Sequence, residues 1–183
     1  MESDSEATIE DTLEITQDAR VSDFLAKHHR QLYSQKNDPK LLNDAILCTR
    51  RTVELSSSMN PLLRRYCFRV ANYLLLRHRE SNQPSDADVT HAMSYLEMGA
   101  NSLIEIETPR EKAQRLAVRA ECHCRLYQSG RDEEYERALQ AFDEVLSAWR
   151  TAGDADKLAQ GLRDTGAVYA IPPDMVQGVD QGS

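Results

Sequence analysis

Residues 61–103, PLLRRYCFRVANYLLLRHRESNQPSDADVTHAMSYLEMGANSL, decide the fold. An apolar segment around Val70, Ala71, Leu74 and Leu75 is followed by a polar break at Ser81 to Asp86, and then by a second segment around Val89, Ala92, Met93 and Leu96. Apolar residues three and four apart fall on one helix face, so the stretch reads as two helices joined by a turn. Its second helix lies without gaps over two other segments, bringing Ala45, Ala92 and Ala138 into register. Offsets -3, 0, +1 and +8 then select Leu42, Ala45, Ile46 and Val53; Val89, Ala92, Met93 and Ala100; and Tyr135, Ala138, Leu139 and Leu146. Offset +4 reads Thr49, Leu96 and Phe142. Three helices with one stripe at one spacing form a repeat.

Outward from that register, a second set of helices precedes the first: 21–35, 62–80 and 110–128, with a fourth, 154–170, unpaired at the end. Their centres carry Ala26, Ala71, Ala120 and Gly166, small enough to let a partner helix approach closely. Asp38-Pro39, Asn82-Gln83-Pro84-Ser85, Thr108-Pro109, Ser129-Gly130 and Ala152-Gly153-Asp154 mark turns, and no segment alternates as a strand would. The expected fold is all-α: a right-handed stack of antiparallel helix hairpins, an α-solenoid of about seven helices, spanning residues 21–170. A compact helical bundle is the competing architecture, because amphipathic stripes alone would serve it as well.

Composition agrees with a helical chain. Seven Gly and six Pro in 183 residues leave few breaks, and 40% apolar with 28% charged residues suits one water-facing domain. The net charge of -8 is uneven, since residues 1–20 hold seven acids against Arg20. That acidic tail is too poor in apolar residues to offset the entropy of ordering and is expected to be disordered, with Ile9 and Leu13 able to form one turn of a docked helix. Residues 171–183, with Pro172-Pro173, Gly178 and Gly182, read as a flexible C-terminal tail. No window approaches the roughly 20 apolar residues of a membrane span. The acidic start lacks the basic and apolar regions of a secretory signal, so a cytoplasmic or nuclear protein is expected. Cys48, Cys67, Cys122 and Cys124 fit reduced, small apolar residues within helices.

The paired helices resemble tetratricopeptide-type repeats, in which a helix with a central small residue precedes one carrying Ala near its start. The 46- to 47-residue period is longer than the usual unit of about 34 residues. It is similar to the long-period repeats of fungal multidomain proteins, whose Leu-Gly-Asn-x-Leu-Leu-x-Arg-Phe-Glu run is followed at Val70–Arg77, and whose Asp-Leu-x-x-Ala-Ile helix is followed at Asp88–Met93. Ala71 replaces that family's glycine and His78-Arg79 its Phe-Glu pair. The resemblance implies a concave groove lined by the first helix of each pair. Its facing positions carry Lys27, Arg30, Arg65, Asn72, Gln114, Arg125 and Arg163 as peptide-binding residues, together with Arg20, Gln31 and Gln160, and the acids Asp23 and Glu121. Such a mildly basic trough would bind an acidic segment of another protein, and the chain's own first twenty residues are a segment of that kind. The carboxylate clamp of chaperone-binding relatives is not reproduced, because Asp23 and Glu121 stand where it needs a base or an amide.

No chemistry declares itself in competition with that reading. Cys122-His123-Cys124 offers zinc-type ligands, but residues two apart on a helix point about 200° away from each other. His28, His29, His78, His91 and His123 sit in no nucleophile or Gly-rich context, and no Gly-x-x-x-x-Gly-Lys-Ser/Thr loop exists to cradle phosphate. Asp132, Glu133, Glu134 and Glu136 read as a solvated helix start, and Trp149 as an anchor for the last helix. Seven arginines between Arg50 and Arg79, against Glu54 alone, make a basic stretch; overall acidity and the lack of an RNA-binding motif disfavour nucleic acid as its partner. The sequence therefore points to a non-catalytic interaction adaptor or scaffold without metal or cofactor, with self-association as a further possibility. The alternative is a small helical enzyme or cofactor-dependent accessory protein using the His and Cys residues.

Overall fold

The computed structural model describes residues 18–102 and 107–169, although not the side chains of 162 and 164–169. Those residues form seven helices and no strand: α1 (Ala19–Lys36), α2 (Pro39–Leu55), α3 (Leu63–Glu80), α4 (Asp86–Ala100), α5 (Pro109–Gln128), α6 (Glu134–Ala152) and α7 (Ala155–Tyr169). The expectations for the acidic tail, including a docked turn at Ile9 and Leu13, and for residues 171–183 lie outside the described residues.

The turn chemistry sets the boundaries. Asp18 and Asp38 accept the backbone N–H groups of Arg20 and Lys40, and Pro39 opens α2. Thr108 and Glu111 form a reciprocal capping box at the start of α5, behind Pro109. Gly153 ends α6 at φ 69°, a left-handed conformation that a side chain would strain.

Helices neighbouring in sequence pack together, α1 on α2 and α2 on α3, then α5 on α6 and α6 on α7. By its contacts the described chain divides into two compact units, 18–84 with 94–102, and 85–93 with 107–169. In the first, the core includes Ala26, Leu42, Ala45, Ile46, Cys48, Cys67, Val70, Ala71, Leu74 and Leu75, all buried. Thr49 and Thr52 are buried there too, and satisfy their hydroxyls on the carbonyls of Ala45 and Cys48 one turn back. In the second, Ala113, Leu116 and Ala120 of α5 meet Ala141, Phe142, Val145, Ala148 and Trp149 of α6, with Leu158 of α7 against them. Trp149, expected to anchor the last helix, is buried within this cluster.

The repeat register carries into burial. Ala45, Ala92 and Ala138 are each fully buried, as are Ala26, Ala71 and Ala120. Offset +8 departs in one copy: Ala100 is exposed, while Gly99 turns inward, where an added Cβ would lie 3.1 Å from the Cβ of Cys67. The reason is that α4 ends at Ala100, and its last turn is drawn against α3 by Arg64, whose guanidinium donates to the carbonyls of Gly99 and Ser102 at 3.2 and 3.1 Å. On α7 it is Gly161 that sits against α6, 3.2 Å from the Leu146 methyl on the same test.

Candidate functional site

In the first unit, α1 and α3 bring a set of cations around one carboxylate. Asp23 of α1, with 13% of its side chain exposed, receives Lys27 Nζ from the next turn at 2.6 Å and the Arg69 guanidinium from α3. Arg69 also lies over the Tyr66 ring, 5.8 Å from its centroid, and Arg30 over Tyr33 at 5.2 Å, stacked geometries in which a cation gains from the π face. Burial pushes the Tyr66 and Tyr73 hydroxyls above the ordinary phenol value. Asp23 adds to that shift while the nearby guanidinium of Arg69 opposes it, with Lys27 opposing at Tyr66 and Arg30 at Tyr73. Lys27, Arg30 and Arg69 therefore lie close to three tyrosines, of which Tyr33 and Tyr66 are buried and Tyr73 is half-buried.

The first unit holds four of the seven expected binding residues, and two of them, Lys27 and Arg30, belong to this cluster. Asn72 donates its amide to the Phe68 carbonyl of its own helix at 2.8 Å, and Arg65 is exposed on α3. The other three are in the second unit. Gln114 is exposed on α5, Arg125 pairs with Glu121 at 3.6 Å, and Arg163 donates to Gln160 on α7 at 2.8 Å. Arg69 was not among the expected residues, since its place relative to Ala71 fell between the offsets taken to face the groove. A signal did exist: Asp23 and Arg69 are 46 residues apart, one repeat length, with opposite charges.

The basic stretch from Arg50 to Arg79 is largely structural. Arg64 binds the end of α4, Arg69 binds Asp23, Arg77 donates to Asn43 Oδ1 at 2.9 Å, and Arg51 pairs with Glu54 at 3.2 Å.

In the second unit the helix start at Glu134 is not solvated. Glu134 is buried and accepts from His123 Nδ1 at 2.5 Å and from Arg137 at 2.6 Å, so it ties α5 to α6. Burial works against its charge, but the hydrogen bonds from His123 and Arg137 outweigh it and hold the carboxyl below its ordinary value. On α5 burial pushes the Cys122 thiol up to about 12, and Cys48 and Cys67 in the first unit up to about 12 and about 11, which leaves little thiolate for reaction at neutral pH. Among the described residues no group of three or more His, Cys, Asp or Glu is placed to hold a metal ion. A shallow groove of about 460 Å³ runs between Lys112 and Leu116 on α5 and Glu144, Ala148 and Thr151 on α6. Two ion pairs border it, a forked Arg115–Glu107 at 2.8 and 2.9 Å and Arg119–Glu144 at 2.5 Å.

No helix among the described residues is long and apolar enough to cross a membrane. No protein-family model matches the chain, and neither a curated protein nor a solved structure matches it.

Proposed function

We propose that this chain is a non-catalytic interaction module, a tetratricopeptide-like stack of helix hairpins that captures an acidic segment of another protein on the first helices of its pairs. The observation that carries the reading is the α1–α3 surface, where Lys27 and Arg69 meet on Asp23 and Arg30 lies close by, near Tyr73. Two further facts support it. The alanines in repeat register are each fully buried, and sequence-neighbouring helices pack together. A carboxylate arriving at this surface would meet three cations against one fixed anion.

The test is fluorescence anisotropy with a labelled acidic peptide, such as a Glu/Leu-containing 15-mer, against the full chain and its Lys27→Glu/Arg30→Glu variant. The expected outcome is saturable binding that weakens at least tenfold in the variant and falls as salt rises. Equal binding by the two proteins, with circular dichroism showing both folded, would move the site away from α1. No saturable binding by the unaltered chain would remove the acidic-segment reading.

A further inference from the structure

Ser22, Ala26 and Tyr33 of α1 turn inward and are buried, and on the opposite side Val21, Phe24, His28, Gln31 and Gln35 are exposed. Their spacings of three, four, three and four residues keep them in one line, the kind of seam along which one helix packs on another. Phe24 is 67% exposed and Val21 46%, and the Phe24 ring stacks on His28 with centroids 6.4 Å apart and planes within 4°. Arg20 and Lys27, also exposed, run down one edge of the seam, about 40° and about 60° round from Phe24 at roughly 100° per residue. The acids that pair with them stand off it: Asp18 caps the helix start, and Asp23 lies about 100° round from Phe24. Among the described residues of α1, the seam and its cationic edge carry no acid.

We infer that this face seats an acidic amphipathic helix of another protein, which lays apolar side chains over Val21, Phe24 and His28 and sets carboxylates against Arg20 and Lys27. Charge complementarity selects the partner. One cation stands a turn before Phe24 and the other a turn after it, so an acidic edge gains on both sides of the aromatic anchor while a basic edge is repelled. A second copy of α1 laid antiparallel on the seam sets these cations against each other, and laid parallel it offers them no carboxylate. Backbone chemistry selects the helix. The N–H and C=O groups of α1 are bonded along its own axis, so an extended chain lying on this face would find no backbone partners there, whereas a helix satisfies its own. The length suits such a partner, because Arg20 to Gln35 spans about 22 Å at roughly 1.5 Å per residue, or about four turns. Phe24 sits within that span as a large aromatic side chain, the type that carries most of the affinity when a partner covers it.

The inference rests on the acidic-segment reading, with which it shares Lys27, and one experiment separates the two. The probes are two fluorescein-labelled synthetic peptides of identical composition, each about three heptads long. One repeats Leu at spacings of three and four with Glu on both flanks, which keeps its own copies apart; the other holds the same residues in an order that makes no helical stripe. Each is titrated into the full chain and into full-length Phe24→Ser and Arg20→Glu variants, with circular dichroism as the check on folding. The expected result is that the unaltered chain binds the striped peptide about tenfold more tightly than the reshuffled one, with a gain of helical signal over the sum of the parts. Both substitutions should weaken the striped peptide about tenfold, Phe24→Ser without effect on the reshuffled one. Equal binding of the two peptides, indifferent to Phe24→Ser, would leave the acidic-segment reading standing and overturn the helix seat. A preference for the striped peptide that survives both substitutions would overturn its assignment to α1. No binding of either peptide would overturn both readings. A concentration-dependent dimer of the unaltered chain by sedimentation, lost in Phe24→Ser, would make a second copy the occupant and overturn the inference in favour of self-association.

Discussion

His123 and Glu134 join α5 to α6 through a 2.5 Å contact between Nδ1 and Oε2, with both side chains largely withdrawn from water. A carboxylate can only accept, so the imidazole nitrogen donates to it, and Arg137 supplies a second donor to the other oxygen. Removing the carboxylate leaves a buried imidazole N–H without its acceptor. Glu134→Ala should therefore cost about 2–3 kcal/mol, whereas Arg137→Ala, which removes a side chain 60% exposed, should cost under about 1 kcal/mol. Glu134 titrates lower in the fold than in the unfolded chain. Its contribution is thus complete above the ordinary glutamate value of about 4.3 and is lost as pH falls through the folded value. Urea midpoints at pH 7 and pH 3.5 test this: Glu134→Gln should lower the first and flatten the drop between them, and a parallel drop in both proteins would refute it.

Asp23 pairs with both Lys27 and Arg69, and its loss should act twice. Asp23→Ala leaves a guanidinium and an ammonium facing each other on partly buried stems, a change expected to destabilise by about 1–3 kcal/mol. The same change makes the surface more positive, so affinity for an acidic peptide should rise while stability falls. A double-mutant cycle of Asp23→Ala with Arg69→Met separates the pair from packing of the arginine stem; a coupling below about 0.3 kcal/mol would mean that the pair does not hold α1 to α3.

Much of the helical skeleton was legible because its signals are local. Asp38-Pro39, Thr108-Pro109 with Glu111, and Gly153 fix helix ends through groups within three residues, and the observed ends fall within about two residues of those expected. The inward alanines were legible for a related reason: a periodic stripe records which face is covered, without saying by what. Glu134 was misread because its position at a helix start explains an acid equally well whether water or a histidine eleven residues away takes the charge. Ala100 was misread because a stripe extrapolated by period ignores where the helix stops. Arg69 escaped because its role lies in a partner on another helix, which spacing along one helix does not encode.

His29 predicts a second pH limb, on the neutral side of the first. Burial depresses its protonation in the fold and His28 adds to this, while Asp44, 3.8 Å from Nδ1, opposes it. The folded ring takes up a proton less readily than the unfolded one, so the unfolded chain gains a proton first as pH falls. Stability is complete above the unfolded histidine value of about 6.5 and is lost as pH falls through that value towards the lower folded one. His29→Gln should remove this limb, with the loss between pH 7 and pH 5 shrinking against the unaltered chain in urea titrations. NMR titration of His29 at or above the ordinary value would reverse the sign and sink the prediction.

Two glycines at helix contacts should answer differently to alanine. Alanine favours a helix over glycine by about 1 kcal/mol, so space decides the sign. At Gly99 the new Cβ would press on the Cys67 Cβ at 3.1 Å and the Arg64 carbonyl at 3.4 Å, atoms fixed to the α3 backbone and unable to turn aside. Relief requires α3 and α4 to separate, which also loosens the Arg64 bonds to Gly99 and Ser102, and overpacking of this kind costs about 1–3 kcal/mol. At Gly161 the nearest atom is a Leu146 methyl at 3.2 Å, at the far end of a side chain that can rotate, and the next is Val145 Cγ1 at 3.9 Å. Gly99→Ala should therefore lower the urea midpoint and Gly161→Ala should leave it unchanged or raise it. A gain at Gly99 would show that the α3–α4 contact is slacker than a 3.1 Å approach allows.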